Sequence, residues 1–194
     1  MVNKIPAYLD NPINYPIYSH IDTTLDTYYK LNFTPNILTT ISLILGLSSV
    51  YAVYKDYYKT GALLFFIAYY YDCADGKFAR KYNQVTKFGD YYDHISDFIK
   101  FGLMFYVLYL KIQPKSFQTK LILFTILILL FVLAILQFGC QEILYQYSES
   151  PSVKWTTYFV NPANCKNQVK YTRYFSMTTL TIYICVCLLL WTFI

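Results

Sequence analysis

Five segments of this chain are long and apolar enough to cross a lipid bilayer as helices. They lie at about residues 35–54, 61–80, 89–110, 120–138 and 174–192. A helix needs about 20 apolar residues to cross the hydrocarbon core of a membrane. The composition agrees, because 56% of the 194 residues are hydrophobic and only 14% are charged, whereas soluble domains carry roughly 25% charged residues. The sequence therefore predicts an all-α, multi-pass integral membrane protein.

Residues 1–33 form a separate N-terminal segment, which precedes a transmembrane domain at residues 34–194. From Pro16 onward, apolar residues recur every three or four positions on one helix face: Ile17, Ile21, Leu25, Tyr28 and Leu31. This pattern predicts an amphipathic helix that lies in the membrane interface. The alternative is a helix that packs on the rest of the protein.

The net charge of +5 comes from scattered lysines and arginines. No basic patch is present, so we expect no nucleic-acid partner, and the mild basic bias suits anionic lipid headgroups. With a cytosolic N-terminus, the connections on the cytosolic side carry more lysine and arginine than those on the other side. The positive-inside rule favours this orientation, which places the acidic stretch at residues 72–97 on the cytosolic side.

Two helix faces in this stretch carry acidic residues. On the second apolar segment, one face holds two acids, two small residues and an arginine: Asp72, Asp75, Gly76, Ala79 and Arg80. On the third segment, one face holds a glycine and two acids at four-residue steps: Gly89, Asp93 and Asp97. If the two helices are antiparallel neighbours, the four carboxylates converge. We interpret the fifth aspartate, Asp90, as an exposed, solvated residue at a helix end.

Four converging carboxylates cannot all stay ionised without a cation, and each charge in the membrane centre costs about 3 kcal/mol. Lys77, Arg80 and Lys100 could offset part of this charge. Carboxylate ligands select hard cations such as Mg²⁺, Mn²⁺ or Ca²⁺, and the five cysteines show no spacing typical of zinc. Four carboxylates are enough for two ions that share oxygens, as in phosphoryl transfer.

Small residues lie between the acids on the same faces. Gly76, Ala79 and Gly89 could simply let the helices pack closely. Because they flank the carboxylates, we interpret them as room for a flat or phosphorylated ligand. Arg80, at the edge of the group, could bind a phosphate oxygen.

These positions resemble the signature of the class I CDP-alcohol phosphatidyltransferase family. The pattern Asp72-x2-Asp75-Gly76-x2-Ala79-Arg80-x8-Gly89-x3-Asp93-x3-Asp97 matches it without a gap. TPNILT at residues 34–39 is similar to the segment that opens the first spanning helix of that family. The resemblance covers residues 34–110 well. It implies a membrane enzyme that moves a phosphoalcohol group from a CDP-alcohol to a hydroxyl of a lipid or polyol acceptor and releases CMP.

The resemblance also implies roles for individual residues. Asp72, Asp75 and Asp93 would bind one Mg²⁺ or Mn²⁺, and Asp72, Asp93 and Asp97 a second one. The CDP-alcohol would contact seven residues: Asn36, Thr39, Gly76, Ala79, Arg80, Thr86 and Gly89. Asp97 is the usual candidate base of the family. His94 is the alternative, because imidazole titrates near neutral pH, although a side chain one position on points about 100° away from Asp93.

Two substrate pairs remain open from the sequence. The DGKFAR and DHISD motifs resemble the choline and ethanolamine phosphotransferases, in which diacylglycerol is the acceptor, and we favour this pair. The Asn83-Gln84 and Phe88-Gly89 motifs are similar to phosphatidylinositol and phosphatidylglycerolphosphate synthases, which use CDP-diacylglycerol. The short chain also favours this second pair.

Members of the family usually have at least six spans, and the resemblance implies a homodimer. We interpret residues 148–171 as a polar loop with an aromatic piece around Trp155. Either this region contains a short or re-entrant helix or one span is missing, so we expect a bundle of about five to six transmembrane helices.

Two other classes of protein fit the sequence less well. Membrane prenyltransferases also use aspartate-rich motifs and Mg²⁺, but their two motifs lie far apart in sequence. A divalent-cation transporter would need acids on several spans, whereas the first, fourth and fifth apolar segments have none in their apolar cores.

Overall fold

The computed structural model describes residue 6, residues 10–145 and residues 151–191. Seven α-helices occupy this part of the chain: α1 (Asn14–Lys30), α2 (Pro35–Tyr54), α3 (Tyr58–Lys81), α4 (Lys87–Ile112), α5 (Phe117–Tyr145), α6 (Pro162–Thr172) and α7 (Met177–Leu189). Two 3₁₀ segments, Pro151–Phe159 and Arg173–Phe175, lie on either side of α6. The described residues form no strand, so the predicted all-α class is confirmed.

Three helical stretches are both long and apolar enough to cross a membrane: Pro35–Tyr54, Phe117–Leu144 and Pro162–Leu189. The third stretch joins α6, the short 3₁₀ turn and α7. Helices α3 and α4 have 24 and 26 residues, which is also enough length, but they carry the acidic residues of the predicted site. The count of five to six spans therefore stays a prediction.

Local sequence explains where the helices around the acidic stretch begin. Thr34 Oγ1 accepts a hydrogen bond of 3.3 Å from the amide of Ile37, and Pro35 lies in the first turn of α2. Thr86 Oγ1 accepts a hydrogen bond of 3.0 Å from the amide of Gly89 at the start of α4. Only residues 82–86 lie between the end of α3 and the start of α4, and both helices pack on α2.

Small and hydroxylated residues bring α2 close to α3. Ser42 Oγ donates to the Ala68 carbonyl at 2.9 Å, and Ser49 Oγ donates to the Gly61 carbonyl at 2.7 Å. Helix α4 packs on α2, and α7 packs on α3 and α5. The acidic residues therefore lie on two helices, α3 and α4, that both pack on α2.

Helix α1 packs the apolar face predicted from its sequence onto α3. Ile21 and Leu25 are buried beside Ala74 and Phe78. Because Ala74 and Phe78 alternate with the signature residues along α3, this packing sets α1 next to the acidic site. The contact agrees with the alternative of a helix packed on the protein, and the location in the membrane interface stays a prediction.

The prediction of a loop was wrong for most of residues 151–171, which are helical, while residues 148–150 lie outside the described part of the chain. Asn161 caps α6 by accepting a hydrogen bond of 3.0 Å from the amide of Ala163. Cys165 and Val169 are buried against Cys140 of α5. These two buried residues lie one helical turn apart, and their packing outweighs the polar composition of the region.

Candidate active site and metal centre

Helices α3 and α4 bring three aspartates together. One carboxylate oxygen from each of Asp72, Asp93 and Asp97 lies within 4.8 Å of the other two. All three residues are half-buried. The convergence that the helix faces predicted is therefore observed for these three acids.

Asp75, the fourth predicted ligand, is buried and lies outside this three-residue cluster. Its Oδ2 atom accepts a hydrogen bond from Thr39 Oγ1 on α2. That bond uses one lone pair of Oδ2, and the other lone pairs of the carboxylate remain for an ion. The role of Asp75 as a metal ligand stays a prediction.

The cluster fits a hard divalent cation. Its three side chains offer only carboxylate oxygens, which suit Mg²⁺ and Mn²⁺. Asp93 Oδ1 is buried and has no hydrogen-bond partner among the described residues. A buried charged oxygen without a partner is costly, and a bound cation would satisfy it.

Two buried lysines have different partners. Lys100 Nζ lies 2.7 Å from Asp72 Oδ1 and 2.8 Å from Asp97 Oδ1, so this lysine offsets charge in the cluster as predicted. Lys77 Nζ lies 2.7 Å from Asp22 Oδ1 on α1. The charge of Lys77 is therefore paired with α1 and not with the predicted metal ligands.

A cavity of about 280 Å³ opens beside the aspartates, near the lower end of the roughly 300–1,000 Å³ of small-molecule sites. All seven residues predicted to contact a CDP-alcohol line it: Asn36, Thr39, Gly76, Ala79, Arg80, Thr86 and Gly89. Asp75 and His94 line it as well. One cavity therefore contains every predicted site residue, although their individual roles stay predictions.

The glycines make room for the chain's own side chains. A Cβ atom at Gly76 would approach Arg80 Nη1 to 3.3 Å, and one at Gly89 would approach Thr86 Oγ1 to 3.1 Å. Arg80 Nε is buried without a hydrogen-bond partner among the described residues. Our interpretation of the glycines as space for a ligand is thus incomplete, because they also make room for Arg80 and Thr86. The Nε–H of Arg80 can donate to an anion.

The family model described as "CDP-alcohol phosphatidyltransferase" matches residues 32–194 of the chain. The chain belongs to this family. It is also similar to the CDP-diacylglycerol–glycerol-3-phosphate 3-phosphatidyltransferases of Rickettsia felis and Rickettsia typhi, each 43% identical over 65 residues. The aligned part is 34% of this chain and 36% of each relative, so the match spans about a third of their length. No solved structure matches the chain.

All eight residues of the CDP-alcohol phosphatidyltransferase signature line the same cavity. Five of them lie on α3 and three on α4. Their spacing of one or two helical turns puts them on the faces of α3 and α4 that line the cavity, which is why a linear motif of this family becomes a single site.

The expectation that Asp90 is exposed was wrong, since its side chain is only 6% exposed. Ser152, in the 3₁₀ segment Pro151–Phe159, donates to Asp90 Oδ2 from its hydroxyl at 2.6 Å and from its amide at 3.2 Å. His94 Nδ1 lies 2.8 Å from the Asp90 carbonyl oxygen and 3.0 Å from Ser152 Oγ. A proton on Nδ1 satisfies both contacts and leaves Nε2 able to accept a proton.

Several cavity residues gave no signal in the sequence. They come from the N-terminal segment, α3 and the start of α7: Asp10, Asn14, Tyr18, Tyr69, Ser176 and Thr178. Thr178 Oγ1 donates to Asn14 Oδ1 at 2.7 Å. Burial raises the pKa of Asp10, although Asn14 donates a hydrogen bond of 2.8 Å to it. A contact such as that between Thr178 and Asn14, 164 positions apart, leaves no periodic pattern in the sequence.

Proposed function

We propose that this chain transfers a phosphoalcohol group from a CDP-alcohol to an acceptor hydroxyl, with release of CMP, in phospholipid biosynthesis. The observation that carries this proposal is the convergence of Asp72, Asp93 and Asp97 in a cavity that also holds the remaining signature residues. Carboxylates that can hold cations, next to an arginine whose Nε–H has no partner among the described residues, suit a diphosphate.

The proposed cofactor is a pair of Mg²⁺ or Mn²⁺ ions. Asp72, Asp75 and Asp93 would hold one ion, and Asp72, Asp93 and Asp97 the other. When bound, the ions neutralise the diphosphate and the negative charge that develops on the CMP leaving group. The proposal is supported by Asp93, which belongs to both ligand sets and whose Oδ1 atom has no hydrogen-bond partner in the described part of the chain.

Residues on α2, α3 and α4 would position the CDP-alcohol. Arg80 would donate from Nε to a phosphate oxygen, and Gly76 and Ala79 would lie against the nucleotide. Thr86 Oγ1 accepts from the Gly89 amide, so its own hydroxyl proton is available to the ligand. Asn36 and Thr39 would approach the phosphates from α2, where Thr39 is oriented by its hydrogen bond to Asp75.

In the proposed reaction, the acceptor oxygen bonds to the phosphorus distal to cytidine while that phosphorus loses its bond to the bridging oxygen of CMP. The proton of the acceptor hydroxyl passes to a base. Asp97 is less suited, because it is a proposed metal ligand and its Oδ1 atom already lies 2.8 Å from the ammonium of Lys100. The contacts at Nδ1 leave His94 Nε2 available, so we favour His94 as the base.

The two candidate substrate pairs have separate support. The names of the relatives favour CDP-diacylglycerol with glycerol 3-phosphate. The charge of the cavity favours CDP-choline or CDP-ethanolamine with diacylglycerol, which has no phosphate. Among the described lining residues, only Lys77, Arg80 and His94 are basic, and Lys77 is already paired with Asp22. A cavity with so few free cations is better suited to one phosphorylated substrate than to two.

We also propose that the chain is a multi-pass membrane protein with its active site facing the cytosol, and that it forms a homodimer. The three apolar stretches support membrane insertion. The lysine and arginine distribution along the sequence supports the orientation.

A membrane assay with Mg²⁺ or Mn²⁺ tests the proposed function. CDP-choline and CDP-ethanolamine are offered with diacylglycerol, and CDP-diacylglycerol is offered with glycerol 3-phosphate or inositol, while CMP and the lipid product are measured by mass spectrometry. We expect CMP with one pair and a loss of at least about a thousandfold in Asp93→Asn, because a site without that ligand cannot hold its ions. Asp56→Asn, in an exposed turn, is the control. No CMP with any pair, or full activity in Asp93→Asn, would contradict the proposal.

A further inference from the structure

We propose that Lys100 is a positioning residue, which holds Asp72 and Asp97 in the geometry that the metal ions require and is itself seated by Ser42 and Gly46 of α2. The inference rests on the proposed metal site. Lys100 is a cation supplied by the protein itself, and it contacts residues of three helices at the acidic cluster.

The ammonium group of Lys100 joins α2, α3 and α4 at one point. The residue is only 3% exposed. Its Nζ atom donates hydrogen bonds to Asp72 Oδ1 at 2.7 Å and to Ser42 Oγ at 2.6 Å, and it forms an ion pair with Asp97 Oδ1 at 2.8 Å. Two of its N–H groups donate these hydrogen bonds, and the contact with Asp97 is an ion pair, because Asp97 Oδ1 accepts no hydrogen bond from the described residues.

Ser42 is suited to accept a hydrogen bond from this ammonium, because its own hydroxyl proton is used elsewhere. Its hydroxyl proton is donated to the Ala68 carbonyl at 2.9 Å. The Ser42 oxygen is therefore left with its lone pairs, which face the Lys100 Nζ atom. Since Ser42 is fully buried, this direction of donation is fixed by the helix packing.

Gly46 leaves the space through which the Lys100 stem passes. A Cβ atom at Gly46 would lie 2.6 Å from Lys100 Cδ and 2.7 Å from Lys100 Cγ. These are atoms in the middle of the side chain, so a larger residue would displace the ammonium. Gly102 differs, because a Cβ atom there would meet nothing within 4 Å.

The contacts of Lys100 engage one oxygen of Asp72 and one of Asp97. A carboxylate has two oxygens, so each of these residues keeps one that can bind an ion. Without the ammonium, the two carboxylates repel each other and can rotate apart. An ion would then have to order them at the cost of its own binding free energy, and loss of such supporting contacts typically weakens metal binding about 10–100-fold.

Mn²⁺ binding to the purified full-length protein in detergent tests this role without relying on turnover. Free Mn²⁺ is measured by electron paramagnetic resonance for wild type, Lys100→Met and Gly46→Ala. We expect the Mn²⁺ dissociation constant to rise about tenfold in Lys100→Met. It should also rise in Gly46→Ala, which keeps the positive charge of Lys100 but displaces its ammonium group. The matched controls are Lys111→Met on the same helix, whose ammonium contacts Asp56 at 2.7 Å, and Gly102→Ala. Both should bind Mn²⁺ as wild type does.

The outcomes separate this inference from the proposed function. If a lysine charge beside the cluster only repels cations, Lys100→Met will bind Mn²⁺ equally well or more tightly, and the positioning role is then overturned. If Lys100→Met does not fold, Gly46→Ala decides, and unchanged Mn²⁺ binding in that variant overturns the proposal. If wild type binds no Mn²⁺, the proposed metal site fails as well. If Asp93→Asn loses Mn²⁺ binding but Lys100→Met and Gly46→Ala bind as wild type does, the metal site stands and only the Lys100 inference is refuted.

Discussion

The hydroxyl group of Ser152 donates a hydrogen bond of 2.6 Å to Asp90 Oδ2, and its oxygen lies 3.0 Å from His94 Nδ1. One serine therefore attaches the 3₁₀ segment Pro151–Phe159 to α4 and also orients the imidazole ring at the edge of the cavity. Because the segment that carries Ser152 covers the carboxylate of Asp90, this side chain is not exposed to solvent at the helix end.

Ser152→Ala should lower kcat about tenfold while changing KM for the CDP-alcohol by less than twofold. The hydrogen bond holds the imidazole in place, and a net contribution of about 1 kcal/mol per hydrogen bond corresponds to a factor of 5–10. The measurement is steady-state CMP release. Thr157→Val is the control in the same segment, because Thr157 Oγ1 donates only to the carbonyl of Lys154. An unchanged kcat in Ser152→Ala would argue against His94 as the base.

Arg80→Lys should raise KM for the CDP-alcohol about 10–100-fold with a smaller change in kcat. The substitution keeps the positive charge but removes the buried Nε–H that has no partner among the described residues, and hydrogen bonds to charged groups contribute about 1.5–3 kcal/mol. Lys81→Met is the neighbouring control, because Lys81 is bonded to Asp26 on α1. Equal KM values for wild type and Arg80→Lys would show that Arg80 does not bind the phosphates.

Asp22→Ala should destabilise the protein by about 3 kcal/mol, because it leaves the ammonium of Lys77 buried without its counter-ion. Lys77 is 3% exposed, and its Nζ atom also lies 4.6 Å from the centre of the Tyr18 ring. The double variant Asp22→Leu/Lys77→Met should recover much of the loss, since it removes both charges. Thermal unfolding in detergent measures both. If the double variant is less stable than Asp22→Ala, the ion pair is not the cause.

Asp10→Asn should stabilise the protein at neutral pH and lose this advantage in acid. Burial raises the pKa of Asp10 above its usual value, so the folded state binds this proton more tightly than the unfolded state does. Stability from Asp10 therefore falls as pH rises from about 4, the ordinary aspartate value, through the raised folded-state pKa, and the penalty persists above it. An asparagine carries no such penalty and can still accept from Asn14.

The measurement is the difference in melting temperature between Asp10→Asn and wild type from pH 4 to pH 8, at concentrations of detergent and salt that are held constant. Asp56→Asn serves as the opposite control. Hydrogen bonds from Lys111 and Tyr58 lower the pKa of Asp56, so its replacement should not stabilise the protein. A melting temperature of Asp10→Asn that is not above wild type at pH 8 would contradict the prediction.

Much of the fold and the site could be predicted because the informative patterns are local. The all-α class follows from long apolar segments, and the observed helices α2 to α5 and α7 cover the five predicted spans to within a few residues. The meeting of Asp72, Asp93 and Asp97 follows from helical spacing and a short connection. The helix α6 was missed because its buried side is only two residues wide, Cys165 and Val169, and its apolar partner Cys140 lies on another helix.

The sequence by itself determined that Asp72, Asp93 and Asp97 lie on two helix faces that can converge, because steps of three and four along a helix fix a shared face without any knowledge of the partner. Only the tertiary structure decided that Asp75 lies outside this cluster. Only the tertiary structure decided how the charges are paired. Lys77 and Lys100 look alike in the sequence, each close to an aspartate, yet one ammonium contacts α1 and the other contacts the cluster. The reason is physical: a long side chain finds its partner through the packing of whole helices, and Asp22, Ser42 and Ser152 reach their partners from other helices or segments of the chain.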